Sequence, residues 1–239
     1  MSYDKQAAVY DDIYRAVKNY EDEARRVQDL LEYYAGIEVR TLLDVACGTG
    51  LHLQYLAAFY DVTGIDLSPA QLAQARLRLP STTLLEDDMR SFELPDQVDA
   101  ITCLFSSIGH LKTVEELETT IANFSRHLVP GGVVLIEPWI MPEAYRPGNV
   151  GRNEVTTSER KITRVSRTTR DGSRIDLELE HWIESPEGDD HFIERHSIMM
   201  FSQVDFARAF EHAGLAFFLH PEGINTNGRG IFIATKVIA

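Results

Sequence analysis

An α/β fold, with an open and mainly parallel sheet covered by helices on both faces, is what this sequence predicts, and three observations predict it. From Thr41 onward, short and nearly continuous apolar runs alternate with amphipathic stretches, the pattern of buried parallel strands joined by helices. A glycine-rich turn, Cys47-Gly48-Thr49-Gly50, falls between the first such run and its following helix, where doubly wound sheets bind ligands. After Pro147 the period changes to two, which marks a β-rich antiparallel insertion near 150–200. The whole of 1–239 reads as one domain carrying that insertion.

The elements follow in order. Residues 5–35 place Val9, Ile13 and Val17, then Val27, Leu30, Leu31 and Tyr34, at helical spacing. Two amphipathic helices separated near Lys18–Tyr20 are expected, forming an N-terminal helical lid over 1–36, with Gly36 ending the second in the left-handed conformation. Strands are expected at Thr41–Ala46, Asp61–Asp66, Thr82–Glu86, Val98–Phe105 and Gly132–Glu137. Helices are expected between them at Leu51–Phe59, Pro69–Leu79 and Thr113–His127. Pro69 after Ser68 is a helix start, because a first-turn residue needs no N–H. Pro130-Gly131-Gly132 reads as a turn into a buried strand. In the insertion, Ile175, Leu177, Leu179, His181 and Ile183 alternate with Asp176, Glu178, Glu180 and Trp182, between turns at Asp171-Gly172 and Pro186–Asp190. A helix at Gln203–Ala213 and strands near Leu215–His220 and Gly230–Lys236 close the sheet.

With 239 residues, 44% of them hydrophobic, the chain has material for a full core. A formal net charge of −14 disfavours nucleic acid polymers and anionic membrane surfaces as partners. No apolar run approaches the ~18–20 residues of a membrane span, and the acidic start is unlike a signal peptide, so a cytoplasmic protein is expected. Cys47 and Cys103 read as buried thiols, and no metal-ligand spacing occurs, so no metal is expected. One stretch is locally basic: Arg152, Arg160, Lys161, Arg164, Arg167, Arg170 and Arg174.

The most specific stretch is Asp44-Val45-Ala46-Cys47-Gly48-Thr49-Gly50. Small residues there let backbone approach a ligand, and the next helix offers free N–H groups. Asp66, ending the second strand, can accept both hydroxyls of a ribose. Asp88 and Met89 follow the third strand, where a carboxylate can receive an adenine amine while an apolar side chain packs on the ring. Three strand tips thus converge on one nucleoside-bearing ligand. The dinucleotide fingerprint is broken, since Leu53 stands where the third glycine or alanine belongs and Asp44 precedes the glycines. Both points favour S-adenosylmethionine over NAD. Leu67, Phe105 and Tyr20 complete the candidate cofactor residues.

The Asp44–Gly50 stretch and the later acidic residue resemble the first two motifs of class I methyltransferases over about residues 40–137, which implies a Rossmann-like core with a seven-stranded, mainly parallel sheet. Further segments resemble the bacterial dTDP-3-amino-3,6-dideoxyhexose N,N-dimethyltransferases: Ala8–Tyr14, Asp88-Met89-Arg90, Phe105–Leu111, Pro130–Val134 with Glu137-Pro138-Trp139, and Gly228-Arg229-Gly230. That resemblance implies a homodimer, a β-rich layer over the active site, a dTDP-amino sugar as acceptor, and two successive methyl transfers to its amine. It also puts Tyr14 and His110 beside the amine. The sequence departs from the family pattern at Val17-Lys18 and at Asn225-Thr226-Asn227, both expected to line the acceptor pocket.

Methyl transfer to an amine needs alignment above all, an effect of about 7–11 kcal/mol, and a route for the amine's proton. His110, nearest the tip of the fourth strand, is the candidate base, with an orienting role as the alternative. Tyr14 contributes either a hydroxyl over the cofactor mouth or aromatic packing with Tyr10. Arg229 and Arg152 are candidates for a diphosphate, and Ser107 for the acceptor. Trp139 either stacks on sugar or base or packs in the core. Arg164, Arg167 and Arg170 are expected to pair across a hairpin with Asp176, Glu178 and Glu180. Competing readings are methylation of another small amine or hydroxyl, an NAD-dependent oxidoreductase, and a non-catalytic cofactor-binding protein.

Overall fold

The computed structural model describes residues 7–225 and 228–238, so Thr226 and Asn227 of the 225–227 departure, like residues 5–6 of the expected first helix, lie outside the described residues. Two helices open the chain, α1 (Ala7–Arg15) and α2 (Tyr20–Tyr34). The Asn19 side chain caps α2 by accepting from the Asp22 N–H, and three acids fill the first turn, complementing the helix dipole. Gly36 does not supply a left-handed cap: Ala35 closes α2, and the Gly36 N–H donates to the Gly131 carbonyl at 2.8 Å.

Strands β1 (Thr41–Val45), β2 (Asp61–Asp66), β3 (Thr83–Glu86), β4 (Val98–Cys103) and β5 (Leu128–Ile136) alternate with α3 (Leu53–Leu56), α4 (Pro69–Arg78) and α5 (Val114–His127). The expected helix over Leu51–Phe59 is a single α-turn flanked by turns. After α6 (Gln203–His212), strands here called β10 (Leu215–His220) and β11 (Ile231–Lys236) complete a seven-stranded sheet in the order β10-β11-β5-β4-β1-β2-β3. Only the β11 pairings are antiparallel. Pro130-Gly131-Gly132 is not a turn ahead of β5 but a bulge inside it, where the register on β4 jumps from Val98↔Leu128 to Ala100↔Val133. Helices α5 and α6 bury Leu117, Ile121, Phe124, Phe206 and Phe210 on one face of the sheet. Helices α2, α3 and α4 bury Val27, Leu31, Leu53, Leu56 and Leu72 on the other.

The insertion is a separate antiparallel sheet of β6 (Val150–Thr156), β7 (Lys161–Asp171), β8 (Arg174–Glu184) and β9 (Asp190–Met199), hydrogen-bonded in that order. Val9 and Ile13 of α1 pack with Ile162 and Phe192 of this second sheet, separately from the two clusters on the main sheet. Burying each such aliphatic side chain contributes about 1.5–3 kcal/mol, enough to hold a short helix across the gap. At the far end β9 lies directly on the turn 107–110, where a Cβ on Gly109 would come within 2.7 Å of Ile198 Cγ2.

Candidate active site

The tips of β1 and β4, with α1 and α2 beside them, border a cleft lined by Tyr10, Tyr20, Asp44, Ala46, Cys47, Gly48, Thr49, Phe105 and Ser107. The loop after β1 is contorted: Ala46, Gly48 and Gly50 all lie at positive φ, 57°, 59° and 75°. For alanine that conformation is unfavourable, and strain of this kind gathers where backbone must face a ligand. The loop is held open by Asp66, whose carboxylate accepts the N–H groups of Gly48 and Ser68, each at 2.8 Å. Each of its oxygens keeps a lone pair for a further donor. Leu67 beside it is exposed. Burial raises the Asp66 pKa despite those backbone donors.

Asp44 is buried and accepts the Thr102 hydroxyl at 2.7 Å. Desolvation pushes its pKa up to about 6, against the opposing pull of His52 and the Thr102 hydrogen bond. Tyr20 is buried too, its ring 4.7 Å from His52, and its hydroxyl has no hydrogen-bond partner among the described residues. Asp88 is clasped by the Arg90 guanidinium, which also reaches Glu116 at 2.6 Å, and this pairing holds the Asp88 carboxyl below its ordinary pKa. Met89 is half-buried against the core.

A second strained turn follows β4, with Phe105 and Ser106 at φ 53° and 65°. The Phe105 N–H donates to Glu137 Oε2 at 2.7 Å, and the Asn225 amide donates to Glu137 Oε1 at 3.2 Å. Glu137 was quoted above only as part of a motif; its burial at the tip of β5 makes it the anchor of this turn. Thr49, Asp11 and Arg78 were also missed. The Thr49 hydroxyl donates to Asp11 at 2.6 Å, and Arg78 bridges the Asp11 carboxylate and the Thr49 carbonyl, so α1 is latched onto the glycine loop. A third unforeseen group is buried Glu23, whose Oε2 lies 2.7 Å from His52 Nε2 and 2.9 Å from Lys18 Nζ.

Three comparisons bear on this geometry. Residues 42–132 match a family model described as a methyltransferase domain. The dTDP-3-amino-3,4,6-trideoxy-α-D-glucopyranose N,N-dimethyltransferase of Streptomyces venezuelae is 41% identical over 95% of this chain and 96% of its own length. The dTDP-3-amino-3,6-dideoxy-α-D-glucopyranose N,N-dimethyltransferase of Streptomyces fradiae is 40% identical over 95% of this chain and 89% of its own. The chain belongs to the class I methyltransferases of this amino-sugar kind. The solved structure of SAM-bound CalS10, an amino pentose methyltransferase from Micromonospora echinaspora, superposes with a TM-score of 0.88 at 38% identity over 96% of this chain and 97% of that one.

The enzyme is therefore an S-adenosylmethionine-dependent methyltransferase, and its cleft fits that cofactor. The left-handed glycine loop offers backbone, Asp66 has spare acceptor capacity, and the unpartnered Tyr20 hydroxyl lines the cleft. The methyltransferase sets Tyr14 between two elements: its ring is 4.8 Å from that of Phe105, and the Arg164 guanidinium lies 4.9 Å over its ring. His110 ends the turn, its ring 5.9 Å from that of His196 on β9. The His110 ring keeps an exposed edge but is otherwise crowded by protein, and that desolvation, followed by the charge of His196, lowers its pKa to about 4. Arg229 donates to the Ser106 hydroxyl at 2.8 Å, Ser107 donates to the Leu104 carbonyl at 2.9 Å, and Trp139 is half-buried beside Tyr145.

Arg152 does not come to the site. It points outward from β6 and pairs with Glu154 at 2.6 Å. Of the expected cross-hairpin pairs, Arg167 makes two, to Glu180 at 2.9 Å and to Glu178 at 3.9 Å. Arg164 and Arg170 do not: Arg164 turns inward to Asn153 at 3.1 Å, and Arg170 donates to the Gly172 carbonyl at 2.7 Å. The odd spacing of 164 and 167 puts them on opposite faces of a strand, a signal the sequence did carry. Arg164 is buried with two of its nitrogens unpartnered among the described residues.

Proposed function

We propose that this enzyme transfers two methyl groups in succession to the amine of a nucleotide-linked deoxy amino sugar. One observation supports it most: Tyr14 stands between Phe105, which lines the cofactor cleft, and Arg164 of the second sheet, so a cofactor and a polar acceptor meet at one side chain. The dTDP-amino sugars named for both relatives have the chemistry such a chamber would take. Bound in the cleft, S-adenosylmethionine supplies an activated methyl group on sulfur. In this reading Asp44, Ala46, Cys47, Gly48, Gly50, Asp66, Leu67, Asp88, Met89, Phe105 and Tyr20 hold it.

What remains for the chain is to present a neutral amine, in line and dry. Tyr14 and His110 orient it. A base is most effective when its pKa is near the working pH, and His110, at about 4, is far below it. It acts as a neutral imidazole that accepts a hydrogen bond and hands the proton outward, rather than as the group that stores it. Arg229 and Arg164 are the guanidinium groups assigned to a diphosphate in this reading, with Ser107 and Trp139 lining the acceptor. The lid over 1–36, the insertion as acceptor layer and dimer surface, a homodimer, and a cytoplasmic setting where nucleotide sugars are made belong to the same proposal.

The test is incubation with labelled S-adenosylmethionine and a panel of dTDP-amino sugars, read by mass. A gain of two methyl groups on one amine is expected; methylation of a hydroxyl, or of no sugar in the panel, would overturn the assignment. His110→Ala should lower kcat/KM about tenfold without abolishing turnover, and unchanged kinetics would remove His110 from the site.

A further inference from the structure

The inner face of the second sheet holds a carboxylate that the reading above leaves unused. On β9, Phe192, Glu194 and His196 alternate onto one face. Phe192 packs beneath α1, and His196 faces His110. At about 3.3 Å per residue the strand covers about 13 Å between the helix that carries Tyr14 and the turn that carries His110. Glu194 sits midway.

It is only 4% exposed, and neither of its oxygens has a hydrogen bond among the described residues. Oε2 lies 3.5 Å from His181 Nε2 and 3.9 Å from His196 Nε2, within ion-pair reach of both, whereas Oε1 has neither a hydrogen bond nor an ion pair among the described residues. His181 is fully buried on the neighbouring strand, and both its ring nitrogens also lack hydrogen bonds there. Burial raises the Glu194 pKa, but the two histidines outweigh it and hold the carboxyl below its ordinary value, so the group is ionised at neutral pH. Buried polar atoms are almost always satisfied, and a set left short on one face asks for a ligand. An ionised carboxylate only accepts hydrogen bonds, so the missing group is a donor. The reacting amine must be neutral and beside Tyr14 and His110, which leaves the donor on the adjoining carbon.

We propose that Glu194 reads a ring hydroxyl: its carboxylate accepts a hydrogen bond from the hydroxyl next to the amine, making the enzyme selective for acceptors that retain that hydroxyl over their deoxy counterparts. This rests on the acceptor assignment above. A site built to bond a hydroxyl rejects the analogue that lacks it, because its own buried group is then stranded.

The experiment compares dTDP-3-amino-3,6-dideoxyglucose with its 4-deoxy counterpart in wild type and Glu194→Gln, reading kcat/KM by mass and S-adenosylhomocysteine binding by calorimetry. A hydrogen bond to a charged group corresponds to about a 10- to 150-fold preference for the hydroxylated sugar in wild type. In E194Q that ratio should fall toward one, with the loss confined to the hydroxylated sugar and S-adenosylhomocysteine binding unchanged. Equal slowing of both sugars, or a wild-type preference below about threefold, overturns the subsite. Should E194Q fail to fold, the wild-type ratio decides alone. If wild type binds S-adenosylhomocysteine yet methylates neither sugar, the acceptor assignment falls and the subsite with it.

Discussion

Replacing Tyr20 by phenylalanine should move stability and cofactor affinity in opposite directions. The ring is 5% exposed and packs edge-on against His52, contacts that phenylalanine retains. The hydroxyl is buried with no partner, and desolvation followed by the charge of Glu23 raises its pKa, so it remains a neutral donor at every working pH. An unsatisfied buried hydroxyl destabilises the free enzyme by about 1–3 kcal/mol. Removing the oxygen should recover about 1 kcal/mol of that, which raises Tm by about 2–4 °C for a chain of this size. In the proposed reading, the same hydroxyl would donate to the charged amino-acid end of the bound cofactor. Its loss should then weaken binding by about 1.5–3 kcal/mol, roughly 10- to 150-fold in Kd. Differential scanning calorimetry with and without S-adenosylhomocysteine measures both signs in one series: Y20F should melt higher than wild type when free and gain less on addition of ligand. A free Tm several degrees below wild type, or an unchanged Kd, would refute the reasoning.

Asp44 makes a complementary prediction from its pKa. Its rise from 3.8 to about 6 means that between those values the folded chain holds a proton the unfolded chain has released, so stability declines as pH rises across that window. The full effect above pH 6 is about 3 kcal/mol. Asp44→Asn should therefore melt higher than wild type at pH 7, with the gain shrinking toward pH 4, while binding the cationic cofactor more weakly at pH 7 than wild type does; an equal or lower Tm at pH 7 would contradict this. Asp11→Asn should loosen the latch between α1 and the glycine loop but leave Val9 and Ile13 in place. Stopped-flow release of S-adenosylhomocysteine should accelerate several-fold with little change in Tm, and an unaltered release rate would show that the latch does not guard the cleft.

The main sheet was legible because its strands are buried on both faces and leave short apolar runs that no solvent-facing residue interrupts. That Asp44, Ala46, Gly48 and Asp66 come close together was legible for the same reason: strand tips in such a sheet have one place to converge. The misreadings have physical causes. Pro130 and the following glycines look like a turn, and only the pairing partner β4 reveals a bulge. The short α3 was overextended because Leu51–Phe59 is apolar enough for a helix whose flanks are in fact turns. Arg152 and Arg164 were indistinguishable by charge; what separates them is which face of an antiparallel sheet is covered, and that depends on α1 lying across it. The anchoring role of Glu137 and the burial of Glu194 were invisible, since a single carboxylate in a strand says nothing about what it will face.

Helix α1 is the element on which the site's two halves depend together. Its described part is Ala7–Arg15, and the contacts it makes divide between the two bodies. Asp11 ties it to the glycine loop and Arg78, while Val9, Ile13 and the Asp12 ion pair to Arg160 at 3.1 Å tie it to the second sheet. Tyr14 lies between them, against Phe105 on one side and under Arg164 on the other. A ligand that steadies the glycine loop thereby steadies the helix, and with it Tyr14. The same linkage acts in reverse, because coupling between two binding events is reciprocal. In the acceptor reading proposed above, cofactor and acceptor should therefore each tighten the other's binding, without any large movement of the sheets.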